Sequence, residues 1–154
     1  MNSKTGKGLD ALLLVEDEED HARLIQKALK EYGHLKNPIY WVKNGEEAIE
    51  YVTGTGKYNK ENAPTPGLIL LDIKLPMKGG FEVLEELKSN EMYKTIPVVV
   101  LTTTSNTNDI ERAKRLGAND YLIKPVEFAK FIDKVGKAGY YWAFISDSNY
   151  RINE

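Results

Sequence analysis

Three short apolar runs constrain this chain more than any other feature: Leu12 to Val15, Leu68 to Leu71 and Val98 to Leu101 are unbroken, and each ends in a polar residue. A half-exposed strand alternates apolar and polar residues, whereas a strand covered on both faces is apolar throughout. The three runs therefore predict buried strands. Ile39 to Val42 and Tyr121 to Ile123 are two shorter candidates, each bounded by a turn signal or a charge. Between the runs, Leu24, Ile25, Ala28, Leu29 and Tyr32 fall on one face of a helix, and Gly33 stands where a C-terminal cap belongs. Glu46 to Val52, Phe81 to Leu87 and Asp109 to Leu116, closed by Gly117, predict three more helices, and Phe128, Ile132, Val135 and Trp142 a fifth. Strands that alternate with helices pair in parallel through right-handed crossovers. The predicted fold is α/β: a doubly wound three-layer sandwich with a five-stranded parallel sheet, flavodoxin-like order 2-1-3-4-5, and five helices.

With 154 residues, 42% of them apolar and 29% charged, the chain has the size and composition of one globular domain. Residues 1–10 read as a polar leader, and residues 11–154 as the domain with an extended C-terminal helix. Lys and Arg total 21 against 23 acids, a net charge of −2, which supplies no basic field for nucleic acid or anionic lipid. The absence of cysteine excludes disulfides, thiolate zinc sites and a thiol nucleophile. No apolar run approaches the roughly 20 residues that cross a bilayer. Lys4 and Lys7 precede a short run ending in acids rather than a cleavage site, so a cytoplasmic location is expected. Thr53 to Pro66 is long for a helix-to-strand connection and reads as an insertion at the foot of the domain.

In open α/β sheets the ligand site lies just beyond the carboxyl ends of the strands. The polar residues collect there: Glu16 and Asp17 after the first strand, Asp72 after the third, Thr102 after the fourth, Lys124 and Pro125 after the fifth. Carboxylates gathered without a counterion repel one another, and burial raises the cost of keeping them charged. Hard oxygen donors with no His or Cys point to Mg²⁺, and Lys124 adds a compact positive charge. Asp72, after the most apolar strand, is the candidate nucleophile toward phosphorus, and the Thr102 hydroxyl can donate to the product. Plainer readings exist for single residues. Asp17 and Asp20 are good helix caps, Thr103 to Ser105 reads as a polar turn, and Tyr121 as a core aromatic. His21 and His34 have no spaced partner and are expected on the surface.

Taken in order, Val15-Glu16-Asp17, Leu71-Asp72 ahead of Leu75-Pro76 and Gly80, Val100-Leu101-Thr102 and Tyr121-Leu122-Ile123-Lys124-Pro125 closely resemble the response-regulator receiver domains of two-component signalling. The resemblance spans roughly residues 11–137. It implies that Asp72 is the phosphoacceptor, Asp17 a direct Mg²⁺ ligand, Glu16 a ligand through water and the Lys74 backbone carbonyl a further ligand. It implies that Thr102, with Thr103 beside it, and Tyr121 form the switch, that Lys124 senses phosphate, and that a cis peptide precedes Pro125. Glu16 departs from the more frequent aspartate, and Lys74 places a cation where many relatives carry a smaller polar group. The implied role is phosphorelay signal transduction: no enzyme acting on a separate substrate, but a phosphoprotein served by a sensor histidine kinase and read by a downstream protein or phosphotransfer partner. The stretch from Val135 to Ile145, with Tyr140, Tyr141, Trp142 and Phe144, resembles the last helix of stand-alone receivers related to those serving cyanobacterial phytochromes. Its aromatics are candidates for a homodimer face or a docking surface.

Two other classes compete. Phosphatases and dehalogenase-type enzymes also attack with a strand-end aspartate beside Mg²⁺, but they carry a second acid two residues on, where this chain has Lys74. A flavodoxin-like binding module needs a phosphate-cradling loop after the first strand, where Glu16 to Asp20 would repel phosphate.

Overall fold

Every predicted strand forms at its expected place. The computed structural model describes residues 11–31, 37–103 and 107–123. The elements run β1 (Leu12–Val15), α1 (Glu19–Glu31), β2 (Ile39–Val42), α2 (Gly45–Thr53), β3 (Leu68–Asp72), α3 (Gly80–Lys88), β4 (Val98–Thr102), α4 (Thr107–Arg115) and β5 (Asp120–Ile123). All strand pairs are parallel and the sheet order is β2-β1-β3-β4-β5. The predicted leader and fifth helix, with Gly33, His34, Lys124, Pro125 and the C-terminal aromatics, lie outside the described residues.

The pleat explains why the runs are apolar throughout. Leu13, Val15, Ile69, Leu71, Val98 and Val100 face one core, filled by Ala48, Tyr51 and Val52 of α2, Val83, Leu84 and Leu87 of α3 and Ala113 of α4. Leu12, Leu14, Leu68, Leu70, Val99 and Leu101 face the other, closed by Ala22, Ile25 and Leu29 of α1. Alternate residues thus enter different cores, and neither face can be polar. Burying a leucine side chain contributes about 1.5–3 kcal/mol, so the three central strands anchor the domain.

The connection from Thr53 to Pro66 departs from the expected foot insertion by folding back along α2. Gly54 caps α2 in the left-handed conformation, with φ 71°. The chain then brings Lys57 Nζ to 3.1 Å and the Tyr58 hydroxyl to 2.7 Å from Glu47 Oε2, in the first turn of that helix. Tyr51 packs between Tyr40, tilted, and Tyr58, edge-on, with ring centroids 5.5 and 5.2 Å away, and donates to the Pro64 carbonyl at 3.0 Å. These aromatic contacts give a segment without apolar periodicity a fixed path.

Candidate functional site

The carboxyl ends of β1 and β3 are adjacent because these strands pair in register, Val15 opposite Leu71. Chain continuation therefore sets Glu16 and Asp17 beside Asp72. Oxygens of Glu16, Asp17 and Asp72 lie within 4.8 Å of one another. Glu16 is fully buried, Asp72 is 7% exposed, and Asp17 faces solvent. Backbone N–H groups fix two of the three acids. The Lys74 N–H donates to Asp72 Oδ1 at 3.0 Å, and the Glu18 N–H donates to Glu16 Oε2 at 3.2 Å.

A cleft of about 260 Å³ opens over this cluster, lined by Glu16, Asp17, Glu18, His21, Asp72, Lys74 and Thr103. The turn that follows Asp72 depends on Gly80. A Cβ there would sit 2.5 Å from the Asp72 carbonyl oxygen and 2.5 Å from the Ile73 Cα, so only glycine lets α3 start so close to the end of β3. The Gly80 N–H closes the turn by donating to the Ile73 carbonyl at 3.0 Å. Between them the loop passes through Met77 in the left-handed region, φ 69°, a conformation that costs a residue bearing Cβ about 1 kcal/mol or more.

The sheet places Thr102 at the end of β4, 1% exposed, with Thr103 beyond it on the cleft. Tyr121 lies on β5 opposite Val100, half-buried against the α2–α3–α4 core, with Lys114 Nζ 5.5 Å from its ring centroid. Lys74 is exposed. His21 departs from its expected surface position. It is half-buried in the first turn of α1, and its Nδ1 lies 3.9 Å from Glu16 Oε2. Its place in the first turn of the helix that follows the acid pair is a sequence signal for that approach.

The donor set fits a hard divalent cation: oxygen ligands only, two of them buried and one open to solvent. A family model described as Response regulator receiver domain matches residues 12–136. The chain belongs to the response regulator receiver domain family. It is 38% identical over 134 residues to the probable methanogenesis regulatory protein FilR2 of Methanothrix harundinacea, covering 85% of this chain and 82% of that protein. It is 43% identical over 113 residues to the response regulator Rcp1 of Synechocystis, covering 73% and 75%. The Mn²⁺-bound crystal structure of Rcp1 superposes with a TM-score of 0.80, at 38% identity over 87% of this chain and 94% of that one. The phosphorylated cyanobacterial phytochrome response regulator RcpA superposes at 0.81, with 36% identity over 94% and 99%. Mg²⁺ is the cation that the acidic pocket of this family binds. No helix among the described residues is long and apolar enough to cross a membrane.

Proposed function

We propose that this chain is a stand-alone receiver of a phosphorelay, in which Asp72 takes a phosphoryl group from the histidine of a partner kinase and passes on the signal through a protein-binding surface. The observation that carries the reading is the convergence of three carboxylates, two buried, on one cleft at the end of the central strand. Asp72 Oδ attacks phosphorus while the bond to the departing imidazole breaks, and the imidazole leaves with that electron pair. The Lys74 N–H, at 3.0 Å from Oδ1, holds the carboxylate in one rotamer for the attack. Asp17 and Asp72 would hold Mg²⁺ directly and Glu16 through water, with the Lys74 carbonyl as a further protein ligand. When bound, the ion neutralises charge on the transferring oxygens. Lys124 pairs with a phosphoryl oxygen in the product. The Thr102 hydroxyl donates to another, and Tyr121 turns toward the space so vacated. The downstream reader is a protein, and the aromatic C-terminal stretch is its candidate dock or a homodimer face.

The test is incubation with acetyl phosphate or phosphoramidate and Mg²⁺, read by intact mass and size-exclusion chromatography. One added phosphoryl group is expected in the wild type and none in Asp72→Asn; equal labelling of both overturns the assignment. Lys74 stands over the product as a shield against water, so Lys74→Ala is expected to shorten the lifetime of the phosphorylated form. An unchanged lifetime removes that role.

A further inference from the structure

The acid pair does not hold its own position, because β1 ends at Val15, one residue before it. Glu16 is completely buried, and a buried backbone carbonyl requires a donor. The neighbouring edge strand supplies one from a side chain: the indole N–H of Trp41 donates to the Glu16 carbonyl oxygen at 2.7 Å. The Glu16 N–H in turn donates to the Val42 carbonyl at 3.1 Å. Both peptide groups of Glu16 are therefore tied to β2.

The carbonyl gripped by Trp41 belongs to the peptide unit that also contains the nitrogen of Asp17. Fixing the plane of that unit limits where the Asp17 Cα–Cβ bond can aim. Asp17 is the exposed member of the cluster, where side-chain burial does least to fix direction. Trp41 is well placed to act as a prop. Register sets it opposite Leu14, its ring packs on the α1-side core, and Nζ of Lys43, just past the end of β2, lies 5.1 Å from the ring centroid.

We infer that Trp41 is a positioning residue for the divalent-cation site: its indole N–H fixes the Glu16–Asp17 peptide and so aims the Asp17 carboxylate at the ion. The inference rests on the metal reading of the acid cluster proposed above. It requires an N–H at this point of β2, which no aliphatic residue and no phenylalanine supplies.

The probe is Mn²⁺, titrated into the full chain while electron paramagnetic resonance measures the free ion. Trp41→Phe keeps the ring and removes the donor. It is expected to bind Mn²⁺ about fivefold more weakly, the share of one lost hydrogen bond, with an unchanged circular dichroism spectrum. Tyr40→Phe, on the same strand but facing the other core, is expected to bind as the wild type does. Trp41→Phe binding with wild-type affinity overturns the positioning role while leaving the metal site standing. A wild type that binds no better than Asp17→Asn overturns the metal reading, and the role of Trp41 falls with it. A fluorine label covers the case in which Trp41→Phe does not fold. The chain has two tryptophans, so 5-fluorotryptophan in a Trp142→Phe background reports Trp41 alone. Its resonance is expected to shift and saturate with Mg²⁺, and a resonance that does not move overturns the proposal.

Discussion

A single carboxylate, Glu47, and a cluster of three, Glu16, Asp17 and Asp72, flank the ends of the parallel strands in different surroundings. Glu47, in the first turn of α2, is set among donors. It accepts from the Tyr58 hydroxyl at 2.7 Å and the Lys43 N–H at 3.1 Å, with Lys57 Nζ 3.1 Å away. Burial pushes its carboxyl up, but the Tyr58, Lys43 and Lys57 contacts outweigh this and hold it below the ordinary glutamate value. Glu16, Asp17 and Asp72 crowd their oxygens within 4.8 Å of one another, and the two that are more deeply buried than Glu47 each accept a backbone N–H, at Glu16 Oε2 and Asp72 Oδ1. A carboxylate compensated by its own chain is architecture. Carboxylates crowded together in a partly buried cleft lower the stability of the empty fold, and that cost is recovered when a cation binds.

The sharpest way to break this contrast is to supply the cation. At Mg²⁺ about a hundredfold above its dissociation constant, linkage stabilises a binding-competent fold by about 2.7 kcal/mol. Thermal melts are expected to show that gain in the wild type and in Glu47→Gln, and to lose most of it in Asp17→Asn. The next effect comes from the compensated acid. Glu47→Gln is expected to lower stability by about 1–2 kcal/mol in urea titrations, because hydrogen bonds to a charged acceptor are weakened. Its sign with pH follows from the lowered carboxyl. The stabilisation is complete above the ordinary value of 4.5 and is lost as pH falls through the folded-state value. Acidification below pH 4.5 should therefore cost the wild type more stability than Glu47→Gln.

Asp72→Asn tests the opposite sense. Removing one of three crowded charges is expected to stabilise the metal-free protein by about 1 kcal/mol, read as a raised urea midpoint. A destabilisation would mean that the partners of Asp72, the Lys74 N–H among them, outweigh the mutual repulsion. The smallest effect belongs to Lys57→Ala. The Lys57 side chain is 70% exposed, so its loss should cost less than about 0.5 kcal/mol.

The legibility of these regions differed for physical reasons. Strands β1, β3 and β4 stand out because a strand buried on both faces is apolar throughout, with β3 and β4 exceeding their predicted limits only by Asp72 and Thr102. The half-buried edge strands β2 and β5 are instead marked by the turn signals or charges that bound them. Helix α1 begins at Glu19, well before the first apolar residue that marked it, Leu24. Its first turn is acidic, which suits the positive end of the helix dipole but leaves no apolar period to read. For the loop from Thr53 to Pro66, length and turn residues predict no more than an insertion at the foot of the domain. Its path back along α2 is fixed by Tyr51, Tyr58 and Glu47, whose partners are distant in sequence or lie across a turn. His21 was read as surface for a similar reason, since its approach to Glu16 depends on how α1 leaves the strand.

Hydrophobic period and chain connectivity leave few alternatives for the strand set, their parallel pairing and the acids at the strand ends, so these follow from the order of residues. Tertiary structure alone decided that Glu16, Asp17 and Asp72 come within 4.8 Å, that Trp41 reaches the Glu16 carbonyl, and that Glu47 is compensated. Periodicity reports which face a residue occupies. Side-chain direction, and the distance between atoms from strands far apart in the chain, are set only when register and packing are complete.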